Sequence, residues 1–315
     1  MSTVTVPATT ANLGPGFDCI GAALTLYNQF KFTNRETTAS VNQGQTERVN
    51  ITVTGTEAQL VSTSSENLVY QAFAKLYEHL HQTPPPVEIE IKLGIPLARG
   101  LGSSATAIVG GLVGANQLAG EPLDVTEVMK LAIAIEGHPD NVVPALLGGC
   151  RLAVKGLNKK EHPLGDWEIC ELRWHDELVP VLGIPNFELS TQEARGVLPA
   201  EYTRADAIFN IAHFGLLLRG LETGRGDWLE IALQDRIHQP YRQKLIPGYD
   251  AVLCAVVDAG AYGMVISGAG PTLLALAAPS QAAAVEAAMT TAWKQEGIVA
   301  QVQSLSIDTQ GTITT

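Results

Sequence analysis

Residues 96–106 read Pro-Leu-Ala-Arg-Gly-Leu-Gly-Ser-Ser-Ala-Thr, a glycine-rich turn between a strand pattern and a helix pattern. No other stretch restricts the fold so closely. Ahead of it, residues 87–93 (VEIEIKL) alternate with apolar side chains at 87, 89, 91 and 93, the mark of a half-buried strand. Behind it, the small-residue run Ser104–Ala119 reads as a helix stopped by Gly120. A strand that turns tightly into a helix offers the helix's first free N–H groups and its positive dipole end, and together these make an anion site. Gly100 and Gly102 lack a Cβ, so the backbone there can adopt positive φ and approach a ligand. Ser103 and Ser104 can cap the helix or place a hydroxyl on Mg²⁺.

Two better-known phosphate loops compete for this segment. A Walker A loop needs Gly-Lys-Ser/Thr, and the chain contains no Gly-Lys pair. Gly100-x-Gly102-x-x-Ala105 does fit the dinucleotide fingerprint, but Pro96 and Arg99 separate it from the strand. The following helix leads to another helix and not to a strand ending in an acidic residue. A plain glycine-rich helix start would account for the glycines alone.

The rest of the chain shows no tandem repeat. Strands are expected at 3–6, 50–54 and 150–155. A helix over 65–81 carries Leu68, Ala72, Phe73, Leu76 and Leu80 on one face, and Pro84-Pro85-Pro86 breaks the chain after it. Asp124 and Glu127 have capping-box spacing ahead of a helix that ends at Glu136-Gly137, and a further helix is expected over 141–147. The polar interval 156–166 is the boundary candidate, dividing the chain into 1–156 and 157–315. Beyond it, helices at 205–219, 226–235 and 281–295 alternate with strands, and GMVISGAGPTLLALA reads as a hairpin. The whole is an α+β pattern in two parts.

Lys and Arg number 20 against 32 Asp and Glu, a net charge of −12, which argues against nucleic-acid backbones and anionic membranes as partners. Cys19, Cys150, Cys170 and Cys254 lie far apart, with no CxxC spacing to suggest zinc or a disulfide framework. His79 and His81 are expected on a helix surface. The uncharged run 259–279 is broken by glycine and proline in SGAGPT, so strand–turn–strand fits it better than a membrane span. The N-terminus has no basic region followed by an apolar one, and a cytoplasmic location is expected.

PLARGLGSSAT resembles the PxxxGLGSSA motif of the GHMP kinases. Two more ordered motifs, VPATTANLGPGFDCIG (6–21) and ISGAGPTLLAL (266–276), extend the resemblance over nearly the whole chain. Within the superfamily, PATTANLGPGFD and EGHPDNVVPALLGG (136–149) are similar to the homoserine kinases. Residues 157–185 and the tail GTITT carry no such match. The resemblance implies an N-terminal domain like domain 2 of ribosomal protein S5 and a ferredoxin-like C-terminal domain, with ATP and substrate between them. It further implies Mg²⁺, a homodimer, and phosphorylation of the L-homoserine hydroxyl in threonine biosynthesis.

Residue roles follow from the same resemblance. ATP would be cradled by Pro96, Leu97, Ala98, Arg99, Gly100, Leu101, Gly102, Ser103, Ser104, Ala105 and Thr106, with the metal bridged by Ser104 and Glu136. Thr106 departs from the small Ala common at its position. Glu136 ends a helix, where the dipole disfavours a carboxylate with no partner. Asn12, Asp18, His138 and Asn141 would contact homoserine, while Asp140 reads as a helix cap. Thr191, Arg195 and Arg242 would take the substrate carboxylate, Arg195 ahead of Arg242, since a planar guanidinium suits it best. The side chains of Arg99, Arg219, Arg225 and Arg236 read as solvated surface charges. Asp18 is the one acid placed near the hydroxyl, and attack without a protein base stays open. A GHMP kinase acting on a different small alcohol, and a GHMP fold without turnover, both stay open as well.

Overall fold

The structure, a computed structural model, describes residues 1–35, 48–156 and 167–315. Apart from Gly156, the polar interval expected at the boundary lies outside the described residues.

The first part runs β1 (Ser2–Ala11), β2 (Ile20–Asn34), β3 (Val49–Gly55), α1 (Leu68–His79), β4 (Val87–Leu93), α2 (Ser103–Leu118), α3 (Val125–Glu136), α4 (Pro139–Leu147), β5 (Cys150–Lys155) and β6 (Trp167–Leu172). The second runs β7 (Val179–Pro185), α5 (Thr191–Gly196), α6 (Arg204–Thr223), α7 (Gly226–Ala232), α8 (Gln239–Arg242), α9 (Tyr249–Asp258), β8 (Gly263–Ile266), β9 (Leu273–Ala277), α10 (Ala282–Gln295) and β10 (Ala300–Ser304), and the chain closes with β11 (Ile313–Thr314).

Among the described residues the first sheet has the order β11-β1-β2-β4-β3, with β5 joining β2 to β6. β1 and β2 form a long antiparallel hairpin, and β3 lies parallel to β4, with α1 as the crossover between them. The Asp124–Glu127 capping box starts α3 as expected. β1 runs well beyond 3–6, and β2 has no counterpart in the sequence reading. β1 is buried without alternation from Val6 to Ala11, whereas β2 is buried throughout only over Ile20–Leu24 and then alternates, with Asn28, Phe30 and Phe32 buried between more exposed neighbours.

The second sheet has the order β10-β7-β9-β8, antiparallel throughout. With its helices it makes a βαββαβ unit, the ferredoxin-like arrangement. The run 259–279 supplies β8, the turn and β9, and no helix among the described residues is long and apolar enough to cross a membrane. The division at 156/157 does not separate the two sheets. β6 pairs with β5 from Lys155–Trp167 to Cys150–Leu172, and β11 returns from the chain's end to β1.

Three apolar clusters hold these layers. One packs Phe30, Phe32 and Ile89 of the first sheet against Phe73, Leu76 and Leu112. α2 is built of small residues because a Cβ at Gly110 or Gly114 would overlap the rings of Phe30 and Phe32. A second cluster joins Ala8, Leu13, Ile20 and Leu101 to Leu217, Leu229 and Val265, so the two parts share a core. The third lies between the second sheet and α9 and α10.

Candidate active site

The glycine-rich loop connects β4 to α2 and faces a cleft between the two sheets. Gly102 is the N-cap of α2, at φ 68°, without a side-chain cap. Thr106 N donates to Gly102 O, which leaves the amides of Ser103, Ser104 and Ala105 as the unpaired first turn. Ser104 is exposed, and its hydroxyl donates to Glu136 Oε1 at 2.7 Å, across from the last residue of α3. Neither serine caps the helix.

The two loop glycines are required by neighbouring protein atoms. A Cβ on Gly100 would overlap the Ser267 carbonyl, and one on Gly102 would overlap Thr9 Oγ1. The loop is thus pressed between β1 and the turn after β8. Ser267 Oγ reaches both Gly100 O at 2.7 Å and Thr10 Oγ1 at 2.9 Å, closing the three segments on one another.

The turn between β1 and β2 is strained, with positive φ at Asn12, Leu13, Gly14 and Asp18. Asn12 holds it in place. Its Nδ2 donates to Gly268 O at 2.7 Å, and its Oδ1 accepts from Asp18 N at 3.0 Å. His238 closes the other side through Nε2–H to Gly14 O at 2.8 Å, with its ring stacked on Phe17. Burial pushes the His238 pKa down and keeps the ring neutral.

Asp18, so presented, meets Arg195 of α5 in a two-pronged ion pair of 2.8 and 3.0 Å. The pair raises the Arg195 pKa. Arg242 lies beside it at 1% exposure, donating to Ala194 O and Gly268 O. Among the described residues no carboxylate forms an ion pair with it. Burial, and next the charge of Arg195, lower its pKa to about 10. Both guanidinium groups stand over the Phe17 ring.

His138 precedes α4 as its N-cap residue, and its Nδ1 is 2.7 Å from Asp140 Oδ1. That hydrogen bond raises the His138 pKa against the opposing effect of burial. Asp140 is therefore not the helix cap expected from the sequence; it lies inside α4 and orients the imidazole. Asn141 Oδ1 accepts from Thr9 Oγ1 at 2.8 Å.

These groups line one cavity of about 430 Å³. Asp18, Arg195, Arg242, His138, Asn141 and Thr191 line it together with Ser104 and Glu136, and Phe30, Leu68 and Ile91 give it an apolar part beside Asn67.

The family model described as GHMP kinases N terminal domain matches residues 67–149, and the one described as GHMP kinases C terminal matches 217–295. A homoserine kinase of Trichormus variabilis is 68% identical over 309 residues, covering 98% of this chain and 97% of that protein. One of Nostoc punctiforme is 68% identical, with 98% and 96% covered. The chain belongs to the homoserine kinase family. A crystal structure of homoserine kinase from Cytophaga hutchinsonii superposes with a TM-score of 0.83 at 29% identity, covering 100% of this chain and 97% of that one. The two-domain GHMP kinase fold and the phosphotransferase class expected from the motifs hold.

Membership in the homoserine kinase family does not give every motif residue the same place. Leu97, Ala98, Arg99, Gly100, Gly102, Ser103 and Ser104 line the cavity, whereas Pro96, Leu101, Ala105 and Thr106 do not. Leu101 and Ala105 point into the apolar clusters. Thr106 is buried, accepting from Asn28 Nδ2 and donating to Ser103 O, so the larger residue braces the helix start. Arg99 is buried too, contrary to its reading as a surface charge. The apolar part escaped the sequence reading because its residues look like ordinary core. Asn67 gave one legible sign, as the N-cap of α1 accepting from Val69 N.

Proposed function

We propose that the chain transfers the γ-phosphoryl group of ATP to the side-chain hydroxyl of L-homoserine, with the nucleotide along the glycine-rich loop and the amino acid between Asp18 and the two arginines. One observation carries the reading: a single cavity is lined by an acid, two arginines and the open first turn of α2. A zwitterionic amino acid supplies an ammonium for Asp18 and a carboxylate for a guanidinium. The triphosphate suits the amides of Ser103–Ala105, and the base suits the apolar part near Asn67 and Leu68.

The arginines exchange rank in this reading. Arg195 already has Asp18, while Arg242 is a buried cation with no ion pair among the described residues, so Arg242 is the principal carboxylate receiver and Arg195 the second. Asn12 serves as a positioning residue for Asp18, since its amide is engaged by backbone at both ends. Asn141 and the Nε2 face of His138 are assigned to the substrate hydroxyl side, and Thr191 to the rim.

A hydroxyl and a carboxylate oxygen 2.7 Å apart suit Mg²⁺, which takes one or two protein oxygens and completes its shell with phosphate and water. Ser104 and Glu136 would hold it, and when bound it supplies charge neutralisation on the phosphate oxygens. The chain's own part is to fix the loop amides against the phosphates, orient the hydroxyl and keep the acceptor's two charges paired. Asp18 is committed to Arg195, so attack proceeds without a dedicated protein base. A cytoplasmic homodimer completes the reading, and light scattering in solution tests the dimer.

The deciding experiment is a coupled kinase assay over a panel of hydroxyl substrates. L-Homoserine should be preferred over homoserinol and 4-hydroxybutyrate, each of which lacks one charge. Equal turnover of all three would overturn the assignment.

A further inference from the structure

Arg99 sits inside the glycine-rich loop, yet its side chain is engaged by other parts of the protein. It is 6% exposed, and its guanidinium makes four hydrogen bonds to protein oxygens. Nε donates to Pro185 O at 3.1 Å, and Nη1 donates to Leu97 O at 2.7 Å. Nη2 donates to Glu57 Oε1 at 3.1 Å and faces Asn186 O at 3.5 Å. Glu188 Oε1 lies 3.5 Å from Nη1.

Its partners outside the loop belong to two separate segments. Glu57 follows β3 and has the left-handed conformation, φ 61°. Its second carboxylate oxygen accepts from Leu97 N at 2.7 Å, so one side chain holds both the loop backbone and the arginine. Pro185, Asn186 and Glu188 belong to the end of β7 and the connection to α5, the helix that carries Thr191 and Arg195. Two backbone bonds reinforce this junction: Leu189 N to Ala98 O at 3.1 Å and Thr272 N to Arg99 O at 3.3 Å. Ala98 itself is at φ 50°, a conformation a non-glycine residue keeps only when its surroundings impose it.

We propose that Arg99 and Glu57 are positioning residues that set the entry of the phosphate loop, registering it at once to the first sheet and to the segment leading into the substrate helix. Leu97 and Ala98 are pinned on both sides, so the backbone from Gly100 to the first turn of α2 starts from a fixed point. Without the pair the loop keeps its glycines and its helix, but not its place relative to the nucleotide. The pairing is specific to a fork. Lysine could reach one or two of these oxygens but not the four that are hydrogen-bonded.

The inference rests on the reading that ATP lies along this loop, and steady-state kinetics with ATP and homoserine varied in turn test it. Wild-type turnover of the two substrates establishes that reading first; its absence would defeat the functional assignment and not this one. Arg99→Met should then raise KM for ATP about tenfold or more, the scale of a small misplacement of a catalytic element, with a much smaller rise in KM for homoserine. Glu57→Gln should shift the same constant in the same direction, and Arg99→Met/Glu57→Gln should be little worse than Arg99→Met alone, since both remove one interaction. Arg99→Lys, which preserves charge and much of the packing, should recover part of the loss and keeps the test open if the Met variant fails to fold. Glu188→Gln, at an exposed side chain, should leave both constants unchanged. A folded Arg99→Lys or Arg99→Met enzyme with wild-type KM for ATP overturns the proposal, as does an equal rise in both KM values or full additivity of the two substitutions.

Discussion

Arg242 is a cation at 1% exposure whose partners are two backbone carbonyls and the neutral ring of His238. A buried guanidinium without an anion is costly, and a substrate carboxylate would relieve that cost. Arg242→Leu should therefore raise KM for homoserine at least ~30-fold, corresponding to roughly 2–5 kcal/mol, and leave KM for ATP nearly unchanged. Homoserinol, which has no carboxylate, should lose far less in the variant than homoserine does. A four-way comparison of kcat/KM reads this coupling, and effects that simply multiply would detach Arg242 from the carboxylate. Glu136→Gln keeps the hydrogen bond from Ser104 but removes the charge. It should lower kcat about 10²-fold with an unchanged melting temperature, as expected for one lost electrostatic stabiliser. His138 has its pKa raised above 6.5 chiefly by the hydrogen bond to Asp140, helped by the charges of Asp140 and Glu136 and opposed by burial and Arg195. The fold thus favours the protonated ring. That stabilisation is complete below about pH 6.5 and is lost as pH rises through the higher folded value. Asp140→Asn should move the His138 imidazole NMR titration to lower pH and remove the decline in melting temperature over that window.

Among the elements, α5 has only six residues yet carries Thr191 and Arg195. So short a helix cannot hold itself, and a capping box secures it: Ser190 Oγ accepts from Glu193 N, while the Glu193 carboxylate accepts from Ser190 N. Ser190→Ala should loosen the helix start. We expect KM for homoserine to rise about fivefold, the equivalent of one lost cap, with little change in KM for ATP or in the melting temperature. A variant with both KM values unaltered would show that Asp18 alone holds Arg195 in place. α2 follows a different rule. Its hydrogen-bonding groups at the N-terminus are left open, and packing fixes its position: Gly110 and Gly114 lie against Phe30 and Phe32, and Asn28 and Thr106 brace the first turn.

At the scale of the whole molecule the two sheets are not independent. The cluster around Leu13, Leu101, Leu217 and Val265 draws on both, and the last strand returns to the first sheet. Asp308 anchors that return by accepting from Tyr27 Oη at 2.7 Å and from the amides of Gln310 and Gly311. Urea unfolding should accordingly give one transition, with tryptophan fluorescence and far-UV circular dichroism coinciding. Two separated transitions would mean that the shared core contributes little.

The sequence determined the local units whose pattern is carried by neighbouring residues. The alternation of 87–93, the glycine-rich turn, the capping box at Asp124 and the stop at Gly137 each follow from contacts within a few positions, so their residues were legible and the motifs pointed to the family. Tertiary structure alone decided what depends on partners far along the chain. β2 begins as a run covered on both faces, Ile20–Leu24, and alternates only after it, so no single period runs along the strand. Arg99 looked like a surface charge until Glu57 and Pro185 closed around it, and the pairing of Asp18 with Arg195 spans 177 positions. Which arginine is satisfied and which waits for an anion is a matter of burial and long-range neighbours, and a one-dimensional pattern records neither.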